Sequence, residues 1–212
     1  RNRTVSTTID LLRHGEVAGK PALYGETDVP LSDNGLQQMM SQVPHVSGAE
    51  RLISSPLQRC RKGAVALSEA LTAPLSLMSG IAECRFGDVD GLPFDDAGDK
   101  WPAMEAFWQQ PVACPLPGGE PLAEFHQRVM DAWHTLLHDV KGQHCLVVTH
   151  GGVIRQIIAR LLNIDWQQAS VYQHLTIGYG SLTRITIGDY ADALPAIQFI
   201  GVPPPAANGA DR

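Results

Sequence analysis

The 212-residue sequence has few cysteines, no long apolar run and fewer basic than acidic residues. Its four cysteines, Cys60, Cys84, Cys114 and Cys145, are widely spaced and contain no C-x-x-C pair. At this length, such spacing argues against a disulfide framework and a zinc knuckle, so we expect reduced thiols in a cytoplasmic protein. No run approaches the roughly 18 apolar residues that a membrane span requires, and we expect no membrane partner.

The shortage of basic residues bears on the kind of ligand. Sixteen Lys and Arg stand against 22 Asp and Glu, which gives a net charge of -6. This balance argues against a nucleic-acid partner, because nucleic acids are usually bound by a basic face. A small anionic substrate is still compatible, since a few arginines in a cleft can create a local positive field.

Apolar runs alternate with segments of helical periodicity over most of the chain. Strands are predicted over residues 8–12, 51–54, 75–78, 145–149, 182–187 and 197–200. Helices are predicted from residue 33 to about 43, and over 60–71, 122–137 and 153–162. This alternation predicts an α/β fold, a three-layer α/β/α sandwich around a mostly parallel sheet.

One domain is expected over residues 1–200, because no compositional break divides the chain. Residues 84–120 are rich in glycine and proline and contain Trp101 and Trp108. We interpret them as an irregular insertion over the cleft, with one short helix. Residues 201–212 are predicted to form a disordered tail.

Two histidines follow predicted strands directly. Arg13-His14-Gly15 follows the first strand, and His150-Gly151-Gly152 follows the most apolar strand and begins a helix. Ligands of parallel α/β sheets bind where strands end and helices begin. The glycines allow close approach of the backbone, and a helix N-terminus offers free N–H groups, so phosphate is the ligand that we expect.

Four segments together resemble the histidine phosphatase superfamily, the phosphoglycerate-mutase-like enzymes. Arg13-His14-Gly15 resembles its R-H-G signature, and Ser55-Pro56-Leu57-Gln58-Arg59 is similar to the segment with its second phosphate-binding arginine. The stretch from Glu83 to Asp88 resembles the segment that carries the family's acid. Thr149-His150-Gly151-Gly152 resembles the segment that carries its second histidine. The segments follow the family's order and span roughly residues 8–190, which makes the combined match specific.

The resemblance implies a phosphoglycerate-mutase-like fold and a site that uses no metal and no other cofactor. His14 would attack phosphorus and form a phosphohistidine. Arg13 and Arg59 would bind the phosphoryl oxygens, and His150, cationic beside phosphate, would stabilise the same group. Glu83 would protonate the leaving alkoxide and later take a proton from water.

Each of these assignments has an alternative. A lone histidine at a strand end is usually a structural hydrogen-bonding group, and Arg59 could be an exposed residue in the first turn of a helix. Glu16, Asp88 and Asp90 are alternatives to Glu83 as the acid. His134 and His138 are four residues apart, but without an H-E-x-x-H pattern or a third ligand they predict a solvated face rather than a metal site.

Two further stretches point to one branch of the family. Residues 24–32 and 117–120 resemble α-ribazole phosphatases, which act late in building the lower ligand loop of cobalamin. The family's mutases present an asparagine soon after R-H-G, and none occurs between Glu16 and Pro30. We therefore expect a phosphatase for a small phosphorylated metabolite, α-ribazole 5′-phosphate, with Gly25 and Thr27 as substrate-loop contacts.

A metal-dependent hydrolase is a further alternative, which predicts loss of activity with a chelator, and we expect no such loss. Two other functions stay open at this point. The first is a broad-specificity sugar-phosphate phosphatase or a phosphoglycerate mutase that uses the same residues. The second is a non-catalytic module that binds a phosphorylated ligand. A pure binding module has no need of a nucleophile and an acid, so the set of His14 and Glu83 favours an enzyme.

Overall fold

A computed structural model describes residues 5–206, and its centre is a six-stranded sheet. The strands are β1 (Thr7–Arg13), β2 (Arg51–Ser54), β3 (Leu75–Leu77), β4 (His144–Thr149), β5 (Leu182–Ile187) and β6 (Ala196–Val202). Their order across the sheet is β3-β2-β4-β1-β5-β6. The pairs β3–β2, β2–β4 and β4–β1 are parallel, and β5 is antiparallel to both of its neighbours. The prediction of a mostly parallel sheet is confirmed.

Helices cover both faces of this sheet. They are α1 (Asp33–Met40), α2 (Gln58–Leu71), α3 (Trp101–Gln109), α4 (Leu122–Asp139), α5 (Gly151–Leu161) and α6 (Ser170–Gln173). Alternate residues of a strand point to opposite faces. Leu12 and Val148 accordingly pack with α1 and α2, whereas Leu11 and Val147 pack with α4 and α5. These two buried clusters make the three-layer α/β/α sandwich that the sequence predicts.

Helix α1 is shorter than predicted. Ser32 caps its N-terminus by accepting a hydrogen bond from the Gly35 N–H at 2.9 Å. The helix ends at Met40 rather than at residue 43. Pro44 explains the difference, because a proline ring in a helix collides with the carbonyl four residues earlier, here that of Met40.

The insertion over residues 84–120 is packed rather than loose. It contains α3 and three short 3-10 turns. Val89, Ala97, Met104 and Leu116 form a small buried cluster of its own, separate from the two clusters beside the sheet. The predicted single short α-helix is therefore present, and the insertion as a whole packs around this buried cluster.

The tail prediction is wrong at its start. Strand β6 continues through Val202, which pairs with Leu182, so the ordered fold extends two residues beyond the predicted boundary. Gly201 has a φ of +64° and lies in an irregular part of this pairing, where a glycine adopts the bend at low cost. Residues 207–212 lie outside the described residues.

Residues 5–206 contain no helix that is both long and apolar enough to cross a membrane.

Candidate active site

His14 lies at the end of β1, where the sheet fixes both its backbone and its ring. Its N–H donates to the Thr149 carbonyl at the end of β4 at 3.0 Å. Its Nδ1 lies 2.8 Å from the Gly15 carbonyl. Because a carbonyl can only accept, Nδ1 carries a proton and Nε2 carries the lone pair. Burial, and then the charges of Arg13 and Arg59, lower the pKa of His14 well below its usual value, so the ring is neutral.

The side chain of Arg13 lies beside this ring. Its guanidinium stacks on Tyr179, with 4.3 Å from the carbon to the ring centroid, and donates to the Ile177 carbonyl. The Tyr179 ring is 5.7 Å from the His14 ring. Tyr179 thus contacts both the arginine and the histidine of the R-H-G segment, and with 38% exposure it borders solvent.

His150 is fully buried and occupies the N-cap position of α5, where its side chain makes no capping hydrogen bond. Its ring centroid is 5.3 Å from that of His14, with an edge-on orientation of 66°. Burial lowers the pKa of His150 well below its usual value, and the neighbouring His14 and Arg59 lower it further. His150 is therefore neutral in the free site. The cationic form expected from the sequence requires a bound phosphoryl group, because its negative charge would raise the pKa of His150 again.

Arg59 is fully buried in α2, which excludes the exposed first-turn alternative. Its two terminal nitrogens donate to the carbonyls of Tyr24, Gly25 and Thr27 at 2.9, 2.7 and 2.9 Å. A guanidinium has five N–H donors, so two are left for a ligand. The Nε of Arg59 has no acceptor among the described residues. Arg59 holds the loop of residues 24–27, and its phosphate contact stays a prediction.

Asp90 holds the same loop from the other side. Its carboxylate accepts hydrogen bonds from the backbone N–H groups of residues 25–27 at 3.0–3.2 Å and from that of Phe86 at 2.9 Å. Burial raises the pKa of Asp90, but the hydrogen bonds from Thr27 and Phe86 outweigh it and lower the pKa overall. Asp90 is therefore an anchor rather than an acid. The backbone groups of Gly25 and Thr27 bond to Asp90 and Arg59, which hold the loop in place. Their expected contacts with substrate therefore stay predictions.

Glu83 reaches the N-terminus of α5. Its carboxylate accepts from the N–H of Gly152 at 3.1 Å and from that of Cys84 at 3.0 Å. A side chain on Gly152 would collide with the Glu83 carboxylate, which explains the glycine. The other two alternatives lie elsewhere: Asp88 is exposed, and Glu16 is exposed and accepts from Asn34. Glu83 is thus the candidate carboxylate beside α5, the helix whose N-cap residue is His150.

An apolar pocket of about 230 Å³ opens beside Glu83. We call it the aromatic pocket, and its apolar walls are Leu23, Cys84, Phe86, Phe107, Trp108, Pro111, Leu122, Phe125 and Tyr172. Arg155 is the cation in its lining, and its Nε donates to the Leu175 carbonyl at 2.8 Å. Among residues 5–206, Arg155 forms no ion pair. The pocket therefore offers flat apolar walls and one unpaired guanidinium.

Comparison with known proteins decides the family. The model of the histidine phosphatase superfamily (branch 1) matches residues 9–198. The chain belongs to this superfamily. It is 31% identical to the "Metal-independent phosphoserine phosphatase" of Arabidopsis thaliana over 163 residues, which cover 73% of this chain and 68% of the relative. It spans 54% of the length of "Bifunctional protein Rv2228c" of Mycobacterium tuberculosis, to which it is 26% identical over 204 residues.

Solved structures show the same fold. "Bacillus stearothermophilus YhfR" has a TM-score of 0.83 at 22% identity, with 92% of this chain and 97% of that chain covered. The alpha-ribazole phosphatase from Shigella flexneri has a TM-score of 0.74 at 23% identity, with coverage of 97% and 100%. The phosphoglycerate-mutase-like fold inferred from the four segments is therefore confirmed.

Several residues of this histidine phosphatase site were not singled out from the sequence. Arg155 lies four residues after Gly151, and this helical spacing places both residues on one face of α5. The sequence therefore contained a pattern that could have placed Arg155 near the site. Asp90 was considered only as an acid, since nothing local indicates that its carboxylate faces three N–H groups of a distant loop. Ser55 stands in the segment that marks Arg59 but was given no role of its own, and Tyr179 has no sequence pattern that marks it.

Proposed function

We propose that this histidine phosphatase hydrolyses phosphomonoesters through a phosphohistidine on Nε2 of His14. The observation that carries the proposal is the hydrogen bond between Nδ1 and the Gly15 carbonyl. It leaves the lone pair on Nε2, and the lowered pKa of His14 keeps that lone pair free of a proton near neutral pH. A neutral imidazole held in one tautomer is ready to attack phosphorus.

The steps balance with the residues present. Nε2 forms a bond to phosphorus as the bond from phosphorus to the ester oxygen breaks, and protonated Glu83 gives its proton to the leaving oxygen. Water then attacks the phosphohistidine while Glu83 takes back a proton, which releases phosphate and restores His14. Arg13, Arg59 and His150 stabilise the oxygens of the transferring group, and no step needs a metal or another cofactor.

We propose α-ribazole 5′-phosphate as the substrate. It carries a flat, mostly apolar aromatic base, and the aromatic pocket beside Glu83 has walls of matching character, among them Phe86, Phe107 and Trp108. The resemblance of residues 24–32 and 117–120 to α-ribazole phosphatases supports the same choice. The proposed compartment is the cytoplasm, an expectation that rests on the spacing of the four cysteines.

Arg155 favours a second candidate. An unpaired guanidinium at the pocket wall matches a carboxylate on the leaving group, because arginine and carboxylate form paired hydrogen bonds. Phosphoserine carries such a carboxylate, and a relative 31% identical bears the name phosphoserine phosphatase. Phosphoglycerate and sugar phosphates are further alternatives, although the apolar walls give their hydroxyl groups few partners.

Substrate profiling tests the proposal. Phosphate release is measured with EDTA present from α-ribazole 5′-phosphate, phosphoserine, 3-phosphoglycerate, fructose phosphates and p-nitrophenyl phosphate. A strong preference for the ribazole compound is the expected result. Preference for phosphoserine, or equal rates on all esters, would overturn the assignment of α-ribazole 5′-phosphate as the substrate. Loss of activity with EDTA would overturn the proposal that the reaction needs no metal. No release from any ester would favour the binding module.

The His14→Ala variant tests the covalent step. Turnover and the acid-labile phosphoenzyme should both disappear, whereas vanadate should still bind at Arg13 and Arg59. His134→Ala, on the exposed face of α4, is a matched control for removing an imidazole and should behave as the wild type. Normal turnover of His14→Ala would contradict a phosphohistidine at this position.

A further inference from the structure

The buried hydroxyl of Ser55 contacts the ring of His150. Its Oγ lies 2.7 Å from Nε2 of His150, and both side chains are fully buried. The sheet fixes this contact, because β2 and β4 are neighbours and the Ser55 N–H donates to the Val148 carbonyl at 2.9 Å. Ser55 and His150 are thus held together by the ends of two adjacent strands.

The surroundings of Ser55 indicate which partner donates. Its Oγ accepts a long hydrogen bond from the Leu57 N–H at 3.4 Å, and its single proton is then free for Nε2 of His150. The sulfur of Cys60 is 3.5 Å from the same nitrogen, but its thiol donates to the Thr149 carbonyl. If His150 donated from Nε2 to Ser55 instead, the Ser55 hydroxyl proton would have only the sulfur of Cys60 as a partner, and sulfur is a weak acceptor.

This direction has a consequence for the ring of His150. A neutral imidazole carries one proton, so a ring that accepts at Nε2 carries its proton on Nδ1. Nδ1 has only a 3.9 Å contact to the sulfur of Cys60 among the described residues. It is therefore the ring nitrogen that is left to meet a phosphoryl oxygen.

We propose that Ser55 is a positioning residue that selects the Nδ1–H tautomer of His150, so that this ring donates a hydrogen bond to the phosphoryl group while it is neutral. The phosphoryl contact rests on the proposed function, whereas the tautomer is a property of the free protein. A donor fixed before the substrate binds costs no reorganisation during the reaction. Ser55 would therefore act on catalysis without touching the substrate.

Nitrogen NMR of the imidazoles tests the tautomer in the ligand-free 212-residue chain near pH 7.5. His150 should show a protonated Nδ1 and an unprotonated Nε2, with its signals assigned by their loss in His150→Asn. Ser55→Ala should shift the ring towards the Nε2–H tautomer. A proton on Nε2 in the wild type would overturn the inference, and this outcome does not depend on any enzymatic activity.

Kinetics test the consequence. Ser55→Ala should lower kcat by about 100-fold, the loss typical of removing one fixed donor to a transition state, with a smaller change in KM. Ser55→Thr keeps the hydroxyl and should recover most of the rate. Ser54→Ala removes an equally buried hydroxyl, which donates to the Ser55 carbonyl rather than to His150, and should stay within about threefold of the wild type.

The pH dependence separates this role from a purely structural one. Protonation of His150 puts a proton on both ring nitrogens, with or without Ser55. The ratio of wild-type to Ser55→Ala rates should therefore shrink as the pH falls. A ratio that is constant with pH, or equal rates at every pH, would overturn the inference. A wild type that releases no phosphate would instead overturn the proposed function, and the NMR result would still decide the tautomer.

Discussion

Glu83 accepts a hydrogen bond from the first turn of α5, at 3.1 Å from the N–H of Gly152. The helix whose N-cap residue is His150 therefore also fixes the proposed proton donor, and one structural element places both groups. Glu83 in addition borders the aromatic pocket, where the leaving group would lie. Its chemistry and its fixation can be tested separately.

Glu83→Gln tests the chemistry. The substitution keeps the size of the side chain but removes the ionisable proton, so alkyl phosphates should lose about 100-fold or more in kcat. The kcat for p-nitrophenyl phosphate should fall far less, because its leaving group needs no proton. Steady-state rates on both substrates are the measurement, with Glu16→Gln as the exposed control. Equal losses on the two substrates would assign the acid to another residue.

Gly152→Ala tests the fixation of Glu83. The added methyl group would collide with the Glu83 carboxylate and displace it, although alanine favours the helix itself. We expect kcat for alkyl phosphates to fall by about 100-fold while the protein stays folded. Gly178→Ala is the control, since a methyl group there meets no atom within 4 Å other than those of its two chain neighbours. Unchanged kinetics of Gly152→Ala would show that this hydrogen bond does not place the acid.

Asp90→Asn tests the anchor of the loop of residues 25–27. The neutral amide lacks the negative charge that accepts hydrogen bonds from four backbone N–H groups, so the free energy of unfolding should fall by about 2 kcal/mol. KM should rise as the loop loses order. Denaturant unfolding and kinetics measure the two effects, and Asp88→Asn is the exposed control. A stability equal to that of the wild type would mean that the loop does not depend on Asp90.

The pH dependence of the same variant has a definite sign. The folded-state pKa of Asp90 lies below its ordinary value of 3.8, so its stabilisation is complete above that value and is lost as the pH falls through the lower folded-state value. The stability difference between wild type and Asp90→Asn should therefore be greatest above pH 3.8 and shrink in more acidic solution. A difference that grows on acidification would contradict a lowered pKa.

Trp108→Ala tests the aromatic pocket. Trp108 lines the pocket and packs edge-on against Trp101, with 5.4 Å between the ring centroids. Its loss should raise KM for α-ribazole 5′-phosphate by about tenfold, the value of one aromatic contact, and change KM for a small aliphatic phosphoester much less. Trp101→Ala is the matched control, because Trp101 belongs to the same aromatic group but does not line the pocket. Equal effects of both variants would point to general loosening of the insertion.

The sheet and its flanking helices could be predicted because their signals are local. The apolar run of β4 and the helical spacing of α4 both appear in a short window of sequence. The ends were less certain, since they depend on particular contacts. Pro44 ends α1 early, and pairing with Leu182 carries β6 through Val202.

The candidate site could be predicted only as far as its motifs reach. The segments around His14 and His150 mark strand ends, so their proximity follows from the parallel pairing of β1 and β4. The contacts of Arg59 with the loop carbonyls could not be foreseen, because they depend on how residues 24–27 fold back over α2. Only the three-dimensional arrangement shows that one arginine and Asp90 hold the same loop.

The insertion contributes Phe86, Phe107 and Trp108 to the aromatic pocket, yet its buried cluster is separate from those that support β1 and β4. The part that recognises the leaving group thus has a buried centre of its own, and Phe86 joins it to the cluster that packs against β1 and β4. Except at Asp90, which anchors the loop of residues 25–27, residues 84–120 could accumulate changes at little cost to the machinery around His14. Evolution of new substrate preferences in this chain would be concentrated there, as would the most productive positions for a mutant library.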